Sequence, residues 1–186
     1  MYENMGGIMI HLTPEVEATL TYQQYGPQPE VAGIFYLPLK RHRALEGDFM
    51  EYLRCTDGQV EGLPVSFQPR QLSCSWAAPG RINAFHLHPK REQNELWCAV
   101  AGALLVWLVD VRADSPTGGN RRRYVLSAEE PGLLYIPSGI AHGYRAGPDG
   151  ALLLYAMNDQ FDPADSNEGR LPWDYWGKEL WETDLG

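Results

Sequence analysis

Apolar residues fall in short runs along this chain, and turn residues separate them. Runs at 34–39, 49–54, 65–67, 72–76, 81–88, 96–101, 103–111, 124–126, 132–136 and 151–157 each read as a strand. They recur every 8–12 residues, the spacing of a sandwich or barrel. Nineteen glycines and fourteen prolines supply the punctuation, and Gly102 is expected to turn the chain between the runs 96–101 and 103–111. No long stretch shows helical periodicity with a cap at each end. Residues 1–30 are polar and irregular and form an N-terminal arm with one short helix or strand. Residues 31–160 form the barrel, and 161–186 an acidic, aromatic C-terminal extension with a short helix near 172–181. One all-β domain, 1–186, is expected.

Composition narrows the partners. Net charge is −9, whereas a nucleic-acid surface needs clustered Lys and Arg. The one basic run, Arg121-Arg122-Arg123, follows a Gly-Gly-Asn turn and reads as a solvated hairpin edge. The longest apolar run, 99–109, is shorter than the ~18 residues of a membrane helix. The first residues show neither a basic n-region nor a long apolar h-region, so no signal peptide is expected. Cys55, Cys74 and Cys98 have no metal-site spacing and suggest reduced thiols in a cytoplasm.

Histidine is scarce, yet His86 and His88 are two apart on a predicted strand and therefore share a face. Such a pair is structural about as often as functional. The wider pattern is more specific. From Gly80 to Gly102 the chain reads G-x5-H-x-H-x6-E-x6-G, and from Pro137 to His142 it reads P-x-G-x2-H. These resemble the two signature motifs of the cupin superfamily, small jelly-roll barrels. The six-residue gap before Glu95 exceeds the three or four usual in metal-binding cupins.

Longer segments sharpen the resemblance. GRINAFHLHPKREQNELWCAVAG, DVRADSPTGG, YVLSAEE and LLYIPSGIAHGY resemble the dTDP-4-dehydrorhamnose 3,5-epimerase family, a branch of the cupins. The resemblance implies an RmlC-like jelly roll, a homodimer, and a cofactor-free isomerase acting on a nucleotide-linked 4-keto-6-deoxy hexose. It implies that His86 is the base and that Tyr155, thirteen residues after His142, is the acid. His142, His88, Asn83, Gln93, Glu95, Glu51 and Ser73 would then bind substrate. Such chemistry suits these side chains: an enolate needs a base on one face, an acid on the other, and positive charge at its oxygen.

The positive charge is where the chain departs from the family. Asn83 stands for the family's arginine, Glu95 for its lysine, His88 for a glutamine, and about Glu46 for another arginine. The family's late aspartate, which orients the base, would fall beyond Gly186, leaving Asp174 and Asp184 as stand-ins. Three readings stay open. His88 becomes cationic by pairing with Glu95; or His86, His88, Glu95 and His142 bind a divalent metal; or the pocket only binds carbohydrate. Trp97 and Trp107 are expected in the barrel wall, Trp173, Trp176 and Trp181 in packing, and Arg112 and Arg145 in solvent.

Overall fold

The computed structural model describes residues 10–22 and 25–182, so the start of the expected arm and Asp184 lie outside the described residues. A short helix, α1 (Pro14–Thr19), buries none of its residues. The strands are β1 (Phe35–Pro38), β2 (Arg41–Ala44), β3 (Gly47–Met50), β4 (Cys55–Thr56), β5 (Gln59–Val60), β6 (Gln71–Ala77), β7 (Ile82–Leu87), β8 (Glu95–Asp110), β9 (Arg121–Ser127), β10 (Gly132–Ile136), β11 (Ile140–Met157) and β12 (Gly169–Arg170). β2–β3 and β4–β5 are separate hairpins. The other strands join in one antiparallel sheet, ordered β1-β10-β8-β11-β7-β12, with β6 added to β11 and β9 to β8. Among the described residues no helix is long and apolar enough to cross a membrane.

Four sequence expectations need correction. Gly102 does not end a strand: β8 runs through it as one 16-residue element. Gly102 takes φ +65°, and a Cβ there would meet the Gly150 carbonyl oxygen at 2.0 Å, so only glycine fits this crossing. β11 likewise begins at Ile140 rather than at 151, because the turn-like Gly147-Pro148-Asp149-Gly150 is an excursion within a strand. Residues 65–67 form no strand. The expected helix near 172–181 is a turn followed by a 3-10 segment, Lys178–Trp181.

Inside the barrel, side chains alternate with a slip. In the first half of β8, Trp97 and Ala99 face the main core while Leu96 and Cys98 face an outer cluster with Phe67 and Tyr135. In the second half the parity is reversed: Leu104, Val106 and Leu108 face inward and Val109 faces out. The cause is a bulge. Leu152 pairs with Ala101 and Leu153 with Ala99, so Val100 is the unpaired extra residue. Phe85, Val109, Ala141 and Trp181 form a third cluster, where the C-terminal segment covers the outer face of the sheet. Trp176 stacks edge-on against Phe85 with centroids 4.7 Å apart, and Trp107 Nε1 donates to the Leu180 carbonyl at 2.7 Å.

The D-x-R-x-x-S-P-T segment is a buried electrostatic clasp. Asp110 is 1% exposed. Its carboxylate accepts from Arg112 Nε and Nη2 at 2.8 Å each and from the Ser115 and Thr117 hydroxyls at 2.6 Å. These donors hold the Asp110 carboxyl well below its usual range despite burial. Arg112 also donates to the Ala32 carbonyl, so it ties the N-terminal segment to the barrel and is not a solvated residue. Asp110→Ala is expected to cost about 3 kcal/mol, because it leaves a guanidinium and two hydroxyls without their acceptor. Urea denaturation at pH 7 measures this, and a loss below 1 kcal/mol would contradict the clasp.

Candidate active site

One end of the barrel interior is left open as a cavity of about 380 Å³. Its floor is apolar and aromatic: Trp97, Tyr144, Leu153 and Tyr155. Its walls carry His86, His88, Glu95 and His142. Bulges place them. His142 pairs with His86, but Tyr144 pairs with Asn83, so β7 holds one residue more than β11 across that step. Asn83 and His86 therefore both reach the cavity although three apart, while Phe85 between them turns out to Trp181.

His86 is held from two sides. Glu168 Oε1 lies 3.2 Å from Nδ1, and Arg170 Nη1 lies 3.1 Å from Nε2. A carboxylate only accepts and a guanidinium only donates. Both neighbours thus favour the same tautomer, with hydrogen on Nδ1 and a lone pair on Nε2. Asn83 Oδ1, an acceptor, lies 2.9 Å from the same Nε2 and favours hydrogen there, so it opposes the tautomer that Glu168 and Arg170 favour. Burial, then the neighbouring His142 and Arg170, push the His86 pKa down to about 3. His86 is a neutral base at physiological pH.

Glu95 organises the second group. Its Oε1 accepts from His88 Nε2 at 2.8 Å and from Gln93 Nε2 at 2.9 Å, and its Oε2 accepts from Trp97 Nε1 at 2.5 Å. Burial alone would raise its pKa, but the His88 hydrogen bond and charge, with the Trp97 donor, bring it to about 2. Burial opposes charge on His88 too, yet the Glu95 bond and charge prevail and its pKa is raised. His88 Nδ1 also bonds the Asn167 carbonyl at 3.1 Å. His142 is fully enclosed; burial lowers its pKa, and Nδ1 bonds the Ile140 carbonyl. The cavity therefore contains a His88–Glu95 ion pair beside two neutral imidazoles.

Tyr155 and His142 both neighbour the Trp97 indole, with ring centroids 6.4 and 5.2 Å from that of Trp97. Burial, then Glu95, raises its pKa, so the phenol keeps its proton. Ser73 lies opposite Tyr155 in the β6–β11 register, on the same face of β6 as the cavity-lining Gln71 and Ser75, and its side chain hydrogen-bonds the phenol. Ser75, two residues on, lines the wall. Glu51 is elsewhere: it is exposed and paired with Arg54 at 2.8 Å, because the hairpin carrying it ends at Met50, away from the cavity. Gln93 lines the cavity, but its amide is committed to Glu95.

His88, Glu95 and His142 come within 4.8 Å of one another, close enough for a metal. The donor chemistry is against it. Both Glu95 oxygens and both His88 nitrogens are hydrogen-bonded, and His86 Nε2 faces a guanidinium, which leaves His142 Nε2, 3.8 Å from Glu95 Oε2, as the one candidate ligand atom without a hydrogen bond. The His88 nitrogens being engaged also leaves it no free donor for a substrate oxygen.

Sequence reasoning missed three residues, all from the C-terminal segment. Asn167 is buried; its amide oxygen accepts from the Lys90 and Arg91 backbone and its nitrogen donates to the Arg91 carbonyl. It pins the loop that delivers Glu168. Gly169 and Arg170 then pair with Leu87 and His86 as β12. The carboxylate beside His86 is that of Glu168, whereas Asp174 is exposed in a turn. The only sequence signal was a polar cluster, Ser166-Asn167-Glu168, followed by Gly169-Arg170.

Comparison with known proteins agrees with this frame. The dTDP-4-dehydrorhamnose 3,5-epimerase family model matches residues 28–175. The spore coat polysaccharide biosynthesis protein SpsL of Bacillus subtilis is 35% identical over 145 residues, covering 77% of this chain and 91% of SpsL. A solved dTDP-4-dehydrorhamnose 3,5-epimerase of Bacillus anthracis, with TDP and pyrophosphate bound, superposes with TM-score 0.70 at 26% identity, covering 81% of this chain and 85% of that one. The dTDP-6-deoxy-D-glucose-3,5-epimerase RmlC of Legionella pneumophila, in complex with dTDP-4-keto-L-rhamnose, shares the fold at TM-score 0.71 and 24% identity, with 83% of this chain and 80% of that one covered. The fold and cavity define a cupin-type jelly roll with a histidine-lined interior. The chain belongs to the dTDP-4-dehydrorhamnose 3,5-epimerase family.

The ion pair makes stability depend on pH in a definite direction. The raised His88 pKa stabilises the fold below about pH 6.5, and that contribution fades as pH rises through its folded value. The lowered Glu95 pKa stabilises above its ordinary 4.5 and is lost as pH falls toward about 2. The pair is therefore worth most between about pH 4.5 and 6.5. Glu95→Gln should destabilise more at pH 5.5 than at pH 9 in paired denaturation curves, and equal losses would refute the pairing.

Proposed function

We propose that the cavity holds the sugar ring of a nucleotide-linked 4-keto-6-deoxy hexose and inverts carbon centres beside its ketone. The observation carrying this reading is the pairing of a neutral, oriented base with a protonated phenol in one enclosed space. His86 Nε2 takes the proton next to the carbonyl, and the C–H electron pair becomes the enolate. Tyr155 then gives its proton to the opposite face of that carbon. Glu168 holds the imidazole and balances the charge it acquires. Trp97 and Tyr144 offer flat apolar faces to the ring. Family membership supports an isomerase of the sugar-nucleotide epimerase type. No step draws on a cofactor.

A second copy of the chain is part of the reading. β6 pairs only with β11 among the described residues, and its outer face presents Leu72 and Trp76, 61% and 75% exposed. A cytoplasmic setting fits the unpaired Cys55, Cys74 and Cys98.

The test is solvent-deuterium incorporation into dTDP-4-keto-6-deoxy-glucose, followed by NMR. Wild type should place deuterium at C3, C5 or both. His86→Ala should slow this by about 10²–10⁴-fold. Tyr155→Phe should keep exchange at the abstracted position yet lose inversion, because the proton can return only from the side it left. Full activity after exhaustive chelation is expected; loss restored by one divalent ion per chain would revive the metal reading. Absence of exchange in wild type, with bound ligand seen by calorimetry, would leave a binding protein.

A further inference from the structure

This inference rests on the epimerase reading. We infer that Arg170, delivered by the C-terminal strand, is the cation that stabilises the enolate oxygen, and that until substrate arrives it caps the lone pair of the base.

Three observations carry it. First, the cavity needs a cation with a donor that can turn to substrate, and in its other cations each nitrogen is held by a carboxylate or carbonyl oxygen. Glu95 neutralises His88, and Arg91, also in the wall, is tied to Asp159 at 3.1 Å and Asp165 at 2.7 Å. Second, Arg170 stands in register beside His86 on β12, just as His142 does on β11. The three form one row across adjacent strands, at the place where Asn83 has lost the charge that the family motif carries. Third, the Arg170 guanidinium is placed to move. Nη2 is anchored to Glu168 Oε1 at 2.6 Å, while Nη1 reaches His86 Nε2 at 3.1 Å and Asn83 Oδ1 at 3.3 Å. Its side chain is 56% exposed.

The contact to Nε2 occupies the very lone pair that must accept the proton. A ketone oxygen entering beside His86 offers Nη1 a competing acceptor. Turning about its Glu168 anchor, the guanidinium gives up Nε2 and bonds the carbonyl. One motion then uncovers the base and puts positive charge where the enolate forms. The electron balance is closed: the C–H pair becomes the enolate π bond, the carbonyl π pair moves to oxygen facing Arg170, and the proton goes to His86. The step reverses when Tyr155 protonates carbon from the other face.

The experiment compares wild type, Arg170→Lys, Arg170→Gln and Arg170→Ala in the deuterium-incorporation assay. Removing one preorganised donor at a developing oxyanion typically costs 10²–10³-fold, and Arg170→Gln should fall in that range in kcat with a smaller change in KM. Lysine should recover only part, since it lacks the fork that spans Glu168 and the oxygen. Guanidinium ion added to Arg170→Ala should restore part of the rate. A lost cap gives a further readout. The groups facing His86 are His142 from β11, His88 just past the end of β7, Glu95 from β8, and Glu168 with Arg170 from the C-terminal segment. Taking away the Arg170 charge should move the acidic limb of the pH–rate profile to higher pH. Diethyl pyrocarbonate should modify His86 faster in Arg170→Gln than in wild type. Exchange in Arg170→Gln at the wild-type rate with an unmoved pH limb would overturn the inference while leaving the epimerase reading intact. Absence of exchange in wild type would instead remove that reading. A melting curve checks folding, and if Arg170→Gln fails it, Arg170→Met, which also removes the charge, replaces it with the same two readouts.

Discussion

A strand's side chains alternate strictly, and the two longest strands here must face different things along their length. β8 and β11 lie antiparallel almost end to end, pairing from Ile140 with Asp110 to Met157 with Glu95. One end of the pair encloses an apolar plug of Leu104, Val106 and Leu108, and the other a polar cavity with Glu95 and Tyr155. Unbroken alternation would send one of these sets outward. The extra Val100 in β8 and the 147–150 excursion in β11 reset the parity of both strands near the same level. The shift between Asn83 and His86 in β7 does so again beside the base. Each irregularity in the ladder aims a residue the site uses, which is where bulges in sheets tend to be found.

The charges in the interior follow a consistent economy. A carboxylate as enclosed as Glu95 is tolerable only with donors on both oxygens, and His88, Gln93 and Trp97 supply them. The price is that neither His88 nor the Gln93 amide nitrogen is available to a ligand. A cavity that keeps its buried charges mutually satisfied must obtain working charge from its rim, where solvent has not been fully removed. Glu168 and Arg170 are such rim groups, and both act on one imidazole.

Their position depends on contacts remote from the cavity. Trp181 and Trp176 pack on Phe85, whose neighbour in sequence is His86. Phe85 and Leu171 exchange backbone hydrogen bonds at 3.2 and 3.0 Å, extending the β12 pairing. The aromatic anchor and the His86–Arg170 row thus sit on opposite faces of the same two strands. Alternation makes the outward residue hold the tail while the inward residue meets what the tail brings.

Much of this was legible in the chain itself. The short apolar runs, the glycine and proline punctuation and the His86, Glu95 and His142 spacing specify an all-β barrel with histidines inside, because strand periodicity and turn chemistry are local properties. The resemblance of local motifs likewise marked Tyr155. Continuity of β8 and β11 was not legible, since Gly102 and Gly147-Pro148-Asp149-Gly150 carry the same local preferences in a turn as in a bulge, and only the neighbouring strand decides. Glu51 looked like a pocket residue and Arg112 a solvated one for the same reason: neither partner, Arg54 nor Asp110, is marked as such by type or spacing. The C-terminal contribution was least visible. Glu168 and Arg170 are more than 80 positions from His86, and nothing periodic links them to it. Sequence determined which side chains line the barrel; tertiary pairing of β12 with β7 decided which carboxylate and which cation meet the base, because that contact is made between strand edges distant along the chain.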